Sequence, residues 1–120
     1  MKKTILVIDD DPDILDAMRF TLEAEDYEVI TSEKGEYTEN LRDKTNNLPD
    51  LIILDILLSG KDGRTICKKL KGQKDTKHIP VIMISAHPGA EKSSKDVCAD
   101  DFIAKPFDVD VLLKKINKLT

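Results

Sequence analysis

Five short apolar runs alternate with helical patterns along this chain, and that alternation limits the folds it can adopt. Most of the runs are rich in β-branched residues and almost continuously apolar, as expected of parallel strands covered on both faces. They span residues 5–8, 28–31, 51–54, 81–84 and 102–104. Strand–helix alternation predicts an α/β fold with one parallel sheet, right-handed crossovers and helices on both faces. The second run is the most polar, so we expect it at an edge of the sheet.

Capping residues and apolar spacing predict the helices between these strands. Asp11 and Pro12 form a helix start, Gly72 ends a later helix, and Asp108 caps the last one. The apolar residues predicted to face the core are Ile14, Leu15, Met18 and Leu22, then Ile66 and Leu70, and finally Val109, Leu112, Leu113, Ile116 and Leu119. Two further helices are predicted within residues 34–47 and 89–98, where the apolar signal is thinner.

Composition narrows the class of protein. The chain has 120 residues, 40% hydrophobic and 35% charged, so we expect residues 1–120 to form a single soluble domain. Nineteen basic against 23 acidic residues give a net charge of −4 with scattered lysines, which argues against direct nucleic-acid binding.

The first apolar run is too short for a signal peptide, and none approaches the roughly 20 residues of a membrane span. We therefore predict a cytoplasmic protein without membrane contact. Cys67 and Cys98 lack metal-ligand spacing and are interpreted as reduced thiols packed in the core.

Polar side chains stand where four of the strands end. Asp9 and Asp10 follow the first run, Asp55 the third, Ser85 the fourth and Lys105 the fifth. The ends of parallel strands share one edge of the sheet, where open α/β folds place their ligand sites. Taken singly, each residue has a simpler explanation: an acidic turn before a helix, a strand-end serine or a surface lysine. Their joint placement favours a functional site, and a lone carboxylate closing an apolar run would be costly.

These residue types suit phosphoryl chemistry. Three gathered carboxylates repel one another and raise their proton affinities unless a cation neutralises them. Oxygen ligands of this kind suit Mg²⁺, and a carboxylate beside such a metal can attack phosphorus. Lys105 would offset charge on the phosphoryl oxygens, and the Ser85 hydroxyl would donate a hydrogen bond to the product. The sequence therefore predicts an aspartyl phosphate at Asp55.

Four segments resemble the CheY-like receiver domains of two-component response regulators. They are ILVIDDDPDI, PDLIILDILLSGKDG, VIMISA and ADDFIAKPF, which match in order and cover essentially the whole chain. The resemblance implies a flavodoxin-like (βα)5 three-layer sandwich whose five-stranded parallel sheet has the order 2-1-3-4-5. It also implies a phosphoprotein, not an enzyme, which assists its own phosphorylation and dephosphorylation. Its partners would be a sensor histidine kinase or phosphotransfer protein and a downstream effector domain or protein.

The resemblance also implies roles for individual residues. Asp10, Asp55 and the backbone carbonyl of Leu57 would contact the metal, with Asp9 acting through water. Ser85 and Phe102 occupy the switch positions, although Phe102 has an equally simple reading as a core residue. The expected output face comprises residues 90–97, 102–104 and 109–119.

Four residues depart from the family pattern. Ser59 stands in place of the usual proline, Cys98 in place of glycine, Phe102 in place of a frequent tyrosine, and Ser85 in place of threonine. None of these changes removes a chemical group that the predicted mechanism needs.

Three other functions are weighed against this interpretation. A pseudo-receiver would use the fold as a protein-interaction module without phosphorylation, but such modules usually lose at least one site residue. Haloacid dehalogenase-type phosphatases carry a second aspartate two residues after the nucleophile, where this chain has Leu57. A flavodoxin needs a Ser/Thr/Gly-rich phosphate loop where this chain has aspartates, which would repel a flavin phosphate.

Overall fold

The computed structural model describes residues 3–33, 48–58, 61–85, 99–105 and 107–120. Within these residues, five strands form one parallel sheet: β1 (Thr4–Ile8), β2 (Glu28–Ser32), β3 (Leu51–Asp55), β4 (Val81–Ser85) and β5 (Asp101–Ala104). Their order is β2-β1-β3-β4-β5, which confirms the expected 2-1-3-4-5 topology and the edge position of the second strand. Each strand is one residue longer than its apolar run, because one further residue also pairs in the ladder; these residues are Thr4, Ser32, Asp55, Ser85 and Asp101.

Three helices lie in the described parts of the chain: α1 (Pro12–Ala24), α2 (Gly63–Lys71) and α3 (Val109–Leu119). The predicted caps are confirmed. Asp11 accepts a hydrogen bond from the amide of Asp13 at 2.9 Å, and Asp108 from the amide of Asp110 at 2.7 Å. Gly72 follows the last residue of α2, as predicted. The helices predicted within residues 34–47 and 89–98 lie outside the described residues.

Helices cover the sheet on both faces. Successive strand side chains alternate between two hydrophobic clusters, as the two-residue period of a strand requires. One cluster combines the sheet with Leu15, Met18 and Leu22 of α1 and with Leu112 and Ile116 of α3. The other combines it with Ile66, Cys67 and Leu70 of α2. The arrangement is the expected three-layer α/β sandwich. Cys67 is a buried cysteine that is not part of a disulfide, and Cys98 lies outside the described residues.

The predicted apolar face of α3 is broader than the observed one. Val109 is 43% exposed, which corrects the prediction that it faces the core. Leu113 and Leu119 are only partly buried against the cluster. Helical periodicity indicates which face of the helix lies toward the core. The exposure of each residue on that face also depends on how far neighbouring elements extend over the ends of the helix.

A short antiparallel pair lies between the third strand and α2. After β3 the chain makes a two-residue antiparallel pair, Leu57–Leu58 with Lys61–Asp62, and enters α2 at Gly63. Ser59, one of the departures noted above, is not among the described residues. No described helix is long and apolar enough to cross a lipid bilayer.

Candidate functional site

Three carboxylates meet at the carboxyl edge of the sheet. One oxygen each of Asp9, Asp10 and Asp55 lies within 4.8 Å of the others. The register explains this, because β1 and β3 are neighbours and Ile8 pairs with Leu54. Asp9 is completely buried and Asp55 is 5% exposed. The predicted acidic cluster is therefore present.

Lys105 reaches this cluster from the end of β5. Its Nζ lies 3.0 Å from Oδ2 of Asp9 and 3.2 Å from Oδ2 of Asp55. Its backbone amide donates to the carbonyl of Ser85 at 3.0 Å, which fixes the main chain from which the ammonium extends. The sequence grouped Lys105 with these aspartates at one edge of the sheet, but it did not indicate that the shorter contact would be to Asp9.

At Asp9, burial raises the proton affinity more than repulsion by Asp55 does. Burial raises the pKa of Asp9, and the charge of Asp55 adds to this, although the Asp11 amide and the Lys105 ammonium act in the opposite direction. Burial by itself would lower the pKa of Lys105, but hydrogen bonds and negative charge from Asp9 and Asp55 outweigh it and raise that pKa. Repulsion, which the sequence argument named as the cause, therefore acts at Asp9 but is smaller than the effect of burial.

The donor set fits a hard divalent cation. Three carboxylates lie within 4.8 Å of one another, and the Lys105 ammonium is bonded to two of them, Asp9 and Asp55. Burial raises the pKa of Asp9 and so disfavours its ionised form, which a bound cation would favour. Carboxylate oxygens are the ligands that Mg²⁺ prefers. Leu57, whose carbonyl is a candidate ligand, lies two residues after Asp55, at the start of the antiparallel pair.

The two predicted switch residues lie on the neighbouring strands β4 and β5. Ser85 is 2% exposed and is the last residue of β4. It pairs with Ala104, immediately before Lys105. Phe102 is buried in the cluster on the α2 side of the sheet, in agreement with its interpretation as a core residue. Its switching role stays a prediction.

The sequence reasoning missed the contact between α2 and the end of β3. Asp62 caps α2 by accepting from the amide of Arg64 at 2.8 Å. The Arg64 side chain holds the same carboxylate, with an Nη2–Oδ2 distance of 2.7 Å, and mainly through this hydrogen bond lowers the pKa of Asp62. The Gly63 amide donates to the carbonyl of Ile56 at 2.6 Å. An aspartate directly before a helical pattern is a capping signal, so Asp62 could have indicated where α2 begins.

Comparison with known proteins agrees with this geometry. The chain is 38% identical over its full length to the response regulator PleD of Caulobacter vibrioides, of which it covers 26%. It is 39% identical to the alkaline phosphatase synthesis transcriptional regulatory protein PhoP of Bacillus subtilis, with 89% of this chain and 44% of that protein aligned. A crystal structure of a putative response regulator from Chloroflexus aurantiacus superposes with a TM-score of 0.89 at 32% identity, covering 99% of this chain and 98% of that one.

The chain thus spans about half or less of the length of these curated relatives. Its sequence matches the response regulator receiver domain over residues 5–117. That match and the shared fold show that this chain belongs to the receiver domains of two-component response regulators.

Proposed function

We propose that residues 1–120 act as one receiver domain that takes a phosphoryl group onto Asp55 in a Mg²⁺-dependent reaction. The position of Asp55 carries this proposal. Its carboxylate ends a buried strand, lies within 4.8 Å of two other carboxylates and accepts a hydrogen bond from Lys105. A carboxylate in such surroundings is suited to form an aspartyl phosphate. Receiver domains are signalling modules and not classical enzymes, so the domain would assist its own phosphorylation and dephosphorylation.

In this proposal the ion is held by Asp10, Asp55 and the backbone carbonyl of Leu57, with Asp9 acting through water. Support comes from the three carboxylates gathered at the sheet edge and from the complete burial of Asp9. When bound, Mg²⁺ supplies positive charge close to the phosphoryl oxygens.

The proposed transfer forms one bond and breaks one. An oxygen of Asp55 attacks phosphorus while the bond between phosphorus and the leaving atom of the donor breaks. Lys105 exchanges its hydrogen bond with Asp55 for one with a phosphoryl oxygen and keeps its bond to Asp9. The Ser85 hydroxyl donates a hydrogen bond to another phosphoryl oxygen, which draws the chain that follows β4 toward the site.

The output of the switch would be a change at residues 90–97, 102–104 and 109–119. Movement of the chain after Ser85 would alter the space beside β4, and the Phe102 ring would move between inward and outward rotamers. Phosphorylation would shift the populations of these rotamers and need not create a new state. The described position of Phe102 supplies the inward state. A pseudo-receiver that works without phosphorylation is disfavoured by the complete set of site residues.

The partners follow from the same proposal. The phosphoryl donor would be a sensor histidine kinase or a phosphotransfer protein. The downstream partner would be an effector domain or a separate protein, since the matched region is 44% of PhoP, a transcriptional regulatory protein. Contact with nucleic acid, where it occurs, would belong to that effector. A cytoplasmic location stays a prediction.

Phosphorylation with a small donor tests the proposal. The protein is incubated with Mg²⁺ and acetyl phosphate and then weighed by mass spectrometry. One added phosphoryl mass is expected on the wild type and on Asp11→Asn, a control in the same acidic run whose new side chain can still cap α1. Asp55→Asn should gain none. Equal labelling of Asp55→Asn and the wild type would refute Asp55 as the acceptor.

A further inference from the structure

We propose that Gly63 is a positioning residue for the phosphoacceptor. Because it has no side chain, the first turn of α2 can lie directly on the main chain at the end of β3. The inference rests on the proposed function, since it takes Asp55 as the residue that is phosphorylated. Gly63 itself contributes no chemical group to the site.

The space beside Gly63 is filled by backbone. A Cβ atom at this position would collide with the carbonyl oxygen of Asp55 and would lie 2.8 Å from the Cα of Ile56. These are main-chain atoms at the end of a buried strand, so they cannot turn aside as the tip of a flexible side chain could. The φ angle of Gly63 lies outside the left-handed region. The requirement for glycine is therefore one of close approach and not of backbone conformation.

Hydrogen bonds hold α2 and the turn after Asp55 together. The Gly63 amide donates to the carbonyl of Ile56, the residue between Asp55 and Leu57. Leu57 pairs in turn with Asp62, whose carboxylate caps α2. The start of α2 is thus bonded to the segment that carries both proposed metal ligands, the Asp55 carboxylate and the Leu57 carbonyl. A side chain at position 63 would push that helix away from them or displace them from Asp9 and Lys105.

A second described glycine, at the other end of α2, provides a matched control. Gly72 follows the last residue of the same helix, and a Cβ there would lie 3.3 Å and 3.6 Å from the carbonyl oxygens of Lys68 and Lys69. Those atoms belong to α2 itself. Gly72→Ala therefore makes the same chemical change beside the same helix without touching Asp55.

The test compares Gly63→Ala with Gly72→Ala at a temperature where circular dichroism shows both variants folded. Calorimetry measures the affinity for Mg²⁺, and mass spectrometry follows the rate of labelling by acetyl phosphate. Gly63→Ala should bind Mg²⁺ more weakly and label on the order of tenfold to a hundredfold more slowly, as expected for a displaced reacting group. Gly72→Ala should match the wild type in both. A folded Gly63→Ala with wild-type Mg²⁺ affinity and labelling rate would overturn the inference.

A second measurement needs no folded variant. In the wild-type protein, the Gly63 amide resonance should shift on addition of Mg²⁺ and again on addition of beryllofluoride, while that of Gly72 stays in place. An unmoved Gly63 resonance at saturating Mg²⁺ would overturn the inference. Failure of the proposed function gives a different result. If the wild type takes up no phosphoryl group, Asp55 is not the acceptor. The Mg²⁺ affinities of the two glycine variants still decide whether Gly63 has a positioning role.

Discussion

Lys105 and Asp9 form a 3.0 Å ion pair between residues at opposite ends of the chain. The Asp9 carboxylate is fully buried, and the Lys105 side chain is 19% exposed. The pair gives the ammonium an anchor that does not depend on Asp55. In the proposed mechanism Lys105 can therefore exchange its hydrogen bond with Asp55 for one with the phosphoryl group while its bond to Asp9 keeps it in the site.

The first prediction concerns Lys105 as a relay. Lys105→Ala should still take up phosphate, slowed by up to about a hundredfold because a charge-stabilising donor is lost. It should not pass the change on to Phe102. Backbone NMR shifts around Phe102 are compared before and after addition of beryllofluoride, with the exposed Lys68→Ala as control. Wild-type shift changes in Lys105→Ala would rule out Lys105 as the relay.

The second prediction concerns the metal. Millimolar Mg²⁺ should raise the melting temperature of the wild type, because an ion that binds the folded state stabilises it by mass action. Each kcal/mol of stabilisation corresponds to a rise of roughly 4 °C for a domain of this size. Asp10→Ala should lose most of the rise, whereas Asp16→Ala, a change at an exposed acidic residue of α1, should keep it. An undiminished rise in Asp10→Ala would remove Asp10 from the ligand set.

The third prediction concerns pH and the ion pair between β5 and α3. Asp101 Oδ1 lies 2.7 Å from Lys115 Nζ. Burial by itself would raise the pKa of Asp101, but hydrogen bonds from Lys115 and the Phe102 amide hold it below its ordinary value. A carboxyl group with a depressed folded-state pKa stabilises the fold above its unfolded pKa, and this stabilisation is lost as pH falls through the folded value.

Asp101→Asn should therefore lower the free energy of unfolding at neutral pH by roughly 1 kcal/mol. The deficit relative to wild type should shrink as the pH falls from the ordinary carboxyl pKa of about 4 toward the lower pKa of the folded Asp101. Urea unfolding at several pH values measures it, with Asp16→Asn as control. A deficit that stays constant across this range would show that the Lys115 contact contributes no pH-dependent stability.

The fourth prediction concerns the output surface. Hydrogen exchange on the free protein and the beryllofluoride form should show altered protection at residues 102–104 and in α3. Unchanged protection is expected in α1 and in the last turns of α2, which lie away from the proposed path. Changes confined to residues 15–22 and 66–70 would mean that the output surface is wrongly assigned.

Much of the fold follows from local signals in the sequence. Apolar runs marked the strands, and Asp11 and Asp108 marked the helix starts, because an exposed cap depends on a few adjacent residues. The site could be predicted for a related reason. In a parallel sheet, residues that end different strands meet at one edge whatever the helices between them do, so Asp9, Asp55 and Lys105 could be grouped before any distance was known.

Other features depended on tertiary structure, because they are distances between segments far apart in the chain. The sequence placed Lys105 near Asp55, but only the strand register brings its ammonium closer to Asp9. Repulsion among carboxylates was foreseen, but it is the depth of Asp9 in the fold that raises its pKa most. Helical spacing predicted that Val109 is a core residue, but Val109 is exposed. The pattern along one helix does not indicate how much of that helix the neighbouring elements cover. The close approach of Gly63 to Asp55 likewise depends on how α2 packs against the end of β3. No local pattern in the sequence indicates that packing.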